Sequence, residues 1–320
     1  MTDKYWKKDS RLWPLLTIAG FLAALICSFV IPSAQEKVFQ TPYRIVLAVL
    51  TVIFLSRYVI GFFNEKMRVR VNHQAQLYAA VSMLILLWDL LTTKTNTLLL
   101  PFFPGPAQIL QVMAEDYKTL VISTFYSMRL LVFGFALGTI IGLTSGVLMG
   151  WFRQWSYWLF PAFKILGVIP ATAWIPIAMI CFPSSFMAEI FLIILSVWFP
   201  VAYMTSSGIA NTPKSYFEAA RTLGGGQLFL IFKVAIPAAM PSVFTGIYTA
   251  TGISFATLVV SEMIGAKAGL GWYINWAKGW SNYAKVYASI IIMAVVFSIV
   301  MAVIFAIRDR VLTWQKGLLQ

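Results

Sequence analysis

The sequence is poor in the residues from which catalytic and metal sites are most often built. It has two cysteines, one histidine and 11 acidic residues among 320 positions. Cys27 and Cys181 both lie in apolar runs, so we expect buried thiols rather than a disulfide or a metal site. His73 lies among arginine and asparagine, and the sequence has no histidine–carboxylate cluster, nucleophile motif or metal-spaced set of ligands. We therefore expect a chain that is not an enzyme and holds no metal.

Charge of either sign is also scarce. Charged residues make up 11% of the chain, against about 25% in soluble domains. No polar stretch is long enough to fold a large soluble domain. The phosphate-binding pattern G-x-x-x-x-G-K-[ST] is absent, and the triplet Gly224-Gly225-Gly226 does not supply it. Any energy source that uses a nucleotide must therefore belong to another subunit.

What the chain has in abundance is long apolar runs, and hydrophobic residues make up 60% of it. About 20 apolar residues in a helix cross the hydrocarbon core of a bilayer. The first run is too long for the core of a cleaved signal, so we count it as a span. Eight spans are predicted, at Trp13–Ile31, Ile45–Phe63, Gln76–Thr92, Leu130–Gly150, Trp158–Pro183, Ala188–Ser207, Val243–Met263 and Val286–Ile307. The fold class is therefore all-α, a polytopic membrane protein.

The distribution of basic residues predicts the orientation of these spans. If both termini lie in the cytoplasm, the inner segments carry about twice as many lysines and arginines as the outer ones, as the positive-inside rule requires. The inner set is Lys4, Lys7, Lys8, Arg11, Lys66, Arg68, Arg70, Arg153, Lys214, Arg221, Lys233, Arg308, Arg310 and Lys316. This bias accounts for most of the net charge of +13, so no nucleic-acid partner is needed. We expect a multi-pass protein of the inner (plasma) membrane.

One polar segment, about residues 211–226, predicts a short cytoplasmic helix between two spans. It contains the run Glu218-Ala219-Ala220-Arg221-Thr222-Leu223-Gly224, and glycine is the residue that most readily ends a helix. Glu218 is expected near the helix start, where the helix dipole favours an acid. The two alanines allow a close approach of a partner, and Lys214 and Arg221 offer charge to it. The alternative is a helix that lies on the membrane surface.

The same segment carries a resemblance to a known family. Glu218-Ala219-Ala220, Gly224 and then Ile236-Pro237 resemble the EAA signature of ABC-importer permeases. The similarity extends from about Gln76 to Ile307. It includes Leu87-Trp88-Asp89, Pro101–Pro106, Gly134-Phe135, Ile169-Pro170, Glu262-Met263-Ile264-Gly265-Ala266 and Gly269-Leu270-Gly271. Together these are similar to the nitrate/sulfonate/taurine branch of the type I importers.

The resemblance implies a domain organisation and a set of partners. Residues 75–320 would form the six-span permease core, and residues 1–74 an amino-terminal extension with two further spans. The implied partners are ABC ATPase subunits, which hold ATP and Mg²⁺, a substrate-binding protein, a second permease subunit (a homodimer is expected) and membrane lipids. No cofactor is expected in this chain. The implied solute is a sulfonate, taurine or nitrate, and the alternative is a heteroaromatic vitamin precursor such as a pyrimidine.

A regular glycine pattern marks the fourth span. Gly134, Gly138, Gly142, Gly146 and Gly150 recur every four residues and so form a small-residue stripe on one helical face. Such stripes let helices approach closely in a bilayer. The stripe predicts tight packing within the subunit, and a dimer contact or a pathway wall is the alternative.

Four further residues are candidates for the transport pathway or its gate. Pro170 and Pro176 interrupt the fifth span and predict a broken helix, which could line a cavity or be a structural kink only. Glu262 closes the seventh span before a glycine-rich outer loop and is the candidate gate residue, although an interfacial carboxylate in contact with water is the alternative. Trp272 follows it, spaced by four from Trp276, and predicts either an interfacial aromatic belt or a surface for stacking.

A channel or a secondary transporter is an alternative interpretation of the same spans. Such proteins often carry internal repeats and charged residues at mid-membrane. We find no clear repeat, and the acidic residues lie near the span ends.

Overall fold

The structure is a computed structural model that describes residues 12–35, 39–167 and 169–314, apart from the side chain of Lys66. Helices make up most of these residues, and no strand occurs among them, which confirms the all-α prediction. Of the basic residues used to predict the orientation, Lys4, Lys7, Lys8, Arg11 and Lys316 lie outside the described residues.

Thirteen α-helices occur in the described part of the chain. They are α1 (Leu12–Val30), α2 (Thr41–Phe63), α3 (Glu65–Asp89), α4 (Pro106–Glu115), α5 (Tyr117–Trp151), α6 (Arg153–Leu166), α7 (Ile175–Cys181), α8 (Ser185–Ala210), α9 (Lys214–Thr222), α10 (Gln227–Phe229), α11 (Ile236–Gly265), α12 (Leu270–Gly279) and α13 (Tyr283–Val311). Two π-helical turns, Leu90–Lys94 and Leu230–Ala235, extend α3 and precede α11.

The predicted spans agree with the helices that are long and apolar enough to cross a membrane. Seven described helices meet that test, and α6 with Ala171–Cys181 gives an eighth if the bent pair is one span. The helices run beyond the predicted apolar limits, most of all α5, which begins at Tyr117 rather than Leu130. Hydropathy reports only the part of a helix that lies in the hydrocarbon, whereas the backbone hydrogen bonds continue into the polar turns on either side.

The described residues divide into two compact units. The first contains the residues through Tyr117 together with Ala277–Ala288, and the second contains Lys118–Trp276 together with the residues from Ser289 onward.

In the first unit, α1 and α2 pack on α3. Phe21, Ala24, Tyr43 and Leu47 form the buried cluster between them. At one end of this bundle the ammonium group of Lys94 donates a hydrogen bond to the carbonyl oxygen of Ile31 (2.7 Å), just beyond α1. The two helices before α3 are therefore fixed to it by an apolar core and by a buried polar contact.

In the second unit, the glycine stripe of α5 lies against α8. A Cβ atom on Gly138 would stand 2.8 Å from the Cβ of Val197, and one on Gly146 would stand 2.7 Å from the carbonyl oxygen of Ala202. The same register continues along the helix, with Gly134, Gly142 and Gly150 facing Ile193, Val201 and Ile209. The stripe is thus occupied by a neighbouring helix of the same chain. α8 also packs on α11, through a cluster that includes Val201, Ala250 and Leu258.

The fifth span is broken, as predicted, but the two prolines stand at the starts of helices. α6 and the Ala171–Cys181 segment meet at 85°. Pro170 directly precedes a 3₁₀ turn, Ala171–Trp174, and Pro176 is in the first turn of α7. At a helix start the missing N–H has no intrahelical partner to lose. Each proline therefore begins a new helical segment rather than bending one from within.

Candidate functional site

The predicted cytoplasmic helix is α9, and its end is closed by two hydrogen bonds. The N–H of Gly224 donates to the carbonyl oxygen of Arg221, and the N–H of Gly225 donates to that of Ala220, both at 2.9 Å. Gly224 has a φ of +84°. This pair of bonds with a left-handed residue is the Schellman arrangement, in which a side chain at the left-handed position is strained. The backbone conformation itself therefore favours glycine at Gly224.

The side chains of α9 divide into an outward and an inward set. Lys214, Glu218, Ala219 and Arg221 are exposed, whereas Ala220 is buried. The helix begins at Lys214, so Glu218 is its fifth residue and the first turn contains no acid. The expectation that Glu218 lies near the helix start is therefore wrong. Its carboxylate lies in the middle of the helix and is exposed to solvent.

One aromatic contact joins α9 to the membrane helices. The rings of Phe217 and Trp151 lie with centroids 5.6 Å apart. Both pack on a buried cluster of Ile209, at the end of α8, with Ala235 and Ala239, at the start of α11. A displacement of α9 would therefore reach α5, α8 and α11 through side chains already in contact.

Exposed apolar side chains follow α9, and we did not single them out in the sequence. Leu223 is 89% exposed, and Leu228 and Phe232 are also largely exposed. Exposed apolar side chains that lie together outside the membrane can mark an interaction site. Their position beside the glycine triplet, in a polar segment, was the signal that could have identified them.

Glu262 lies at the other candidate site, and it is buried rather than interfacial. Its side chain is 1% exposed. Its Oε2 accepts a hydrogen bond from the hydroxyl of Ser127 on α5 (2.9 Å) and another from the N–H of Gly271 on α12 (2.8 Å). The Ser127 hydroxyl in turn accepts one from the N–H of Leu270 (2.9 Å). The reading of Glu262 as a carboxylate in contact with water is therefore wrong.

The chain before α12 is shaped to fit this carboxylate. Gly269 has a φ of +136°, and a Cβ there would stand 2.5 Å from the carboxylate carbon. The carboxyl group lies at the amino-terminal end of α12, where the first N–H groups of a helix have no intrahelical partner. Glu262 thus ties α11, α5 and α12 together at one point.

A second buried carboxylate, Glu189 on α8, lies beside this point. It is 2% exposed, and its Oε1 stands 3.6 Å from where a Cβ on Gly265 would be. Glu189 lies near the start of α8, and its burial there is a property that hydropathy cannot report.

The remaining pathway candidates separate in the structure. Gly167, Ile169, Pro170 and Ala171 line a cavity of about 200 Å³ together with residues of α8 and Ile253 of α11, whereas Pro176 does not. Trp272 is half-buried in α12, where its ring stacks on that of Trp276 with centroids 6.2 Å apart.

Comparison with known proteins gives a consistent result. A family profile described as binding-protein-dependent transport system inner membrane component matches residues 134–314. A putative ABC transporter permease of Methanocaldococcus jannaschii is 30% identical over 195 residues, which cover 59% of this chain and 72% of the relative. The nitrate import permease NrtB of Leptolyngbya laminosa is 30% identical over 211 residues, which cover 61% and 72% of the two chains.

Two further matches are shorter or more distant. The bicarbonate transport system permease CmpB of Synechococcus elongatus is 34% identical over 147 residues, which cover 46% of this chain and 53% of the relative. Among solved structures, an inward-facing MetNI methionine ABC transporter matches 62% of this chain and 98% of its own, with a TM-score of 0.50 and 20% sequence identity. At that identity the match shows a common fold.

Proposed function

Because the chain belongs to the family of binding-protein-dependent transport system inner membrane components, we propose that it is the subunit through which an ATP-driven importer moves a small anion. It is an ABC importer permease of the nitrate/sulfonate branch. The chain is not itself an enzyme, since ATP hydrolysis in such systems belongs to separate ATPase subunits. A permease of this kind works with ATPase and substrate-binding partners.

The observation that carries the proposal is α9 and its attachment. The exposed face of α9, with Lys214, Glu218 and Arg221, would dock on an ATPase subunit, and the exposed Leu223 would extend that surface. When ATP binding draws the ATPases together, the contact between Phe217 and Trp151 would carry the motion to α5. The pathway would then open to the outer side and close again after hydrolysis.

Glu262 would hold the outer end shut in the conformation seen here. Its hydrogen bonds to Ser127 and Gly271 join three helices that must separate for an outer mouth to open. A carboxylate at the mouth would also repel a free anion, so holding the gate suits it better than binding the solute. The cavity beside Pro170 would form part of the pathway wall.

The names of the relatives support an anion as the solute. Relatives over much of this chain are a nitrate permease and a bicarbonate permease. We propose nitrate, bicarbonate or a sulfonate such as taurine, with a heteroaromatic vitamin precursor as the alternative. The working complex would contain two copies of this chain and two ATPases, with both termini in the cytoplasm. Residues 1–74 would lie outside the solute path, and no cofactor or nucleic acid would bind this chain.

Reconstitution tests this proposal. The purified chain, its ATPase and its binding protein would be placed in liposomes, and ATP hydrolysis and uptake would be measured with nitrate, bicarbonate, taurine and a pyrimidine. We expect one of the three anions to stimulate both. Stimulation by the pyrimidine alone would show that the solute is a heteroaromatic vitamin precursor. Transport without any ATPase would show that the protein is a secondary transporter.

A further inference from the structure

A second cavity, of about 490 Å³, opens at the end of the second unit that carries α9. It lies between the last turn of α5, the first turns of α6 and the last turns of α8. Cavities of 300–1,000 Å³ are the usual size of small-molecule sites. We call it the α9-end cavity. It is distinct from the cavity beside Pro170, although the ring of Phe163 borders both.

The lining of the α9-end cavity has one charged residue, and that residue is basic. Arg153 begins α6 and is accompanied by the hydroxyl groups of Ser156, Tyr203, Ser206 and Ser207. No carboxylate lines the cavity. Within the described part of the chain the guanidinium group of Arg153 has no hydrogen-bond or ion-pair partner. The cavity therefore offers hydrogen-bond donors around a positive charge that no described residue neutralises.

This arrangement suits an oxyanion. The guanidinium group is a planar fork of donors that binds carboxylate-like or phosphate-like oxygens in pairs, and it loses less hydration than an ammonium group does. Hydroxyl groups can donate to the remaining oxygens. The rings of Trp151 and Phe160 supply apolar surface beside these donors, enough for the short carbon chain of a sulfonate.

We propose that the α9-end cavity is a binding site for a small oxyanion, such as nitrate, bicarbonate or taurine, held by the guanidinium group of Arg153. This inference rests on the proposed function, because it places a site for the transported anion on the side of the protein where an ATPase would dock on α9. Trp151 lines the cavity and also touches Phe217 of α9. An anion in the cavity would therefore also alter the rate of ATP hydrolysis.

Chemical protection of Arg153 tests the site without relying on transport. The complex of this chain with its ATPase, in nanodiscs of neutral phosphatidylcholine, would be treated with phenylglyoxal, which modifies free guanidinium groups. Peptide mass spectrometry would follow the modification of each arginine. We expect sodium nitrate or taurine to slow the modification of Arg153 severalfold relative to sodium chloride at equal ionic strength. Arg308, which is paired with Asp309, should react at the same rate in all conditions.

A functional measurement uses matched variants. In liposomes with the ATPase outside and the binding protein and solute enclosed, nitrate added outside should inhibit ATP hydrolysis. Arg153→Gln should raise the half-inhibitory concentration about tenfold or more, because a charge-assisted hydrogen bond is lost. Lys164→Gln, which removes a cation from the other end of α6 and outside the cavity lining, should leave it unchanged.

The outcomes separate this inference from the proposed function. Anion uptake with no protection of Arg153 would overturn the site and leave the function standing. Protection of Arg153 in a complex that transports none of the anions would support the site and overturn the function. Protection that appears only when phosphatidylglycerol is added to the nanodiscs would assign the cavity to a lipid phosphate and overturn the assignment to a solute.

Discussion

Trp151, at the last residue of α5, and Phe217, in the middle of α9, lie in edge-on contact with ring centroids 5.6 Å apart. The contact bridges a membrane-spanning helix and the exposed helix that would meet an ATPase. Both rings also pack on the buried cluster of Ile209, Ala235 and Ala239, so movement of α9 would pass to the membrane helices through this contact.

Phe217→Ala should therefore uncouple ATP hydrolysis from uptake. An aromatic pair contributes about 0.5–1.5 kcal/mol beyond its buried area, so the protein should still insert and fold. We expect uptake per ATP hydrolysed to fall severalfold in liposomes containing the ATPase and the binding protein. Phe217→Leu keeps the apolar volume and should retain most of the coupling. If Phe217→Ala and the unmodified chain showed equal coupling, the movement of α9 would have to be transmitted through other contacts.

Gly224→Ala should weaken the closure of α9. A side chain in the left-handed conformation costs about 1–2 kcal/mol, and Gly224 has a φ of +84° with open space around it, so strain is the only effect. We expect less ATPase to copurify with the variant. Gly226→Ala is a matched control, because Gly226 is also surrounded by open space but has a φ of −73°. Equal loss in both variants would argue against the backbone explanation.

Glu262→Gln should destabilise the closed state of the outer end of the transport pathway. The change keeps the shape of the side chain but removes the charge that the Ser127 hydroxyl and the Gly271 N–H stabilise, at a cost of about 1.5–3 kcal/mol in hydrogen bonding. We expect higher basal ATP hydrolysis or solute leak, and a weaker dependence on the binding protein.

Ser127→Ala should reproduce that phenotype, because Ser127 donates to Glu262 and accepts from the N–H of Leu270. Ser123→Ala, one turn earlier on α5 and also buried, is the control and should behave as the unmodified chain. If Glu262→Gln and Ser127→Ala both left basal ATP hydrolysis and solute leak unchanged, the assignment of Glu262 as the gate residue would be wrong.

Gly146→Ala should destabilise the second unit. The new methyl group would stand 2.6 Å from the Cβ of Thr205 and 2.7 Å from a backbone oxygen of α8, and overpacking of this kind costs about 1–3 kcal/mol. We expect a lower midpoint of thermal unfolding in detergent. Gly252→Ala, in α11, meets open space and should be neutral or slightly stabilising, since alanine favours a helix by about 1 kcal/mol over glycine.

Removal of residues 1–70 should lower the amount of folded protein more than the activity of each molecule. The truncation exposes the face of α3 that α1 and α2 cover and leaves Lys94 without the carbonyl of Ile31. An orphaned buried donor costs about 1–3 kcal/mol. Substrate-stimulated ATP hydrolysis per assembled complex is the measurement. A stable truncated complex that no longer responds to substrate would show that the extension takes part in transport.

The sequence predicted some parts of the candidate sites well and others poorly. α9 could be located because Gly224 and its neighbours end a helix by a local backbone effect. The hydrogen-bond partner of Glu262 could not be identified from the sequence, because Ser127 lies 135 residues away. Serine at that position also has no distinguishing pattern. Similarly, nothing in the order of residues 149–156 indicated that α8 would close a cavity around Arg153.

The amino-acid sequence by itself determined where the chain crosses the membrane, that it does so as helices, and where α9 ends. These follow from local causes, since a backbone in lipid must satisfy its own hydrogen bonds and only a helix does so within one segment. The tertiary structure decided which helix fills the glycine stripe, that Glu262 is buried against Ser127 and α12, and that Trp151 meets Phe217. Those relationships depend on the shapes of surfaces far apart in sequence, because packing rather than hydrophobicity selects neighbours among helices that are all equally apolar.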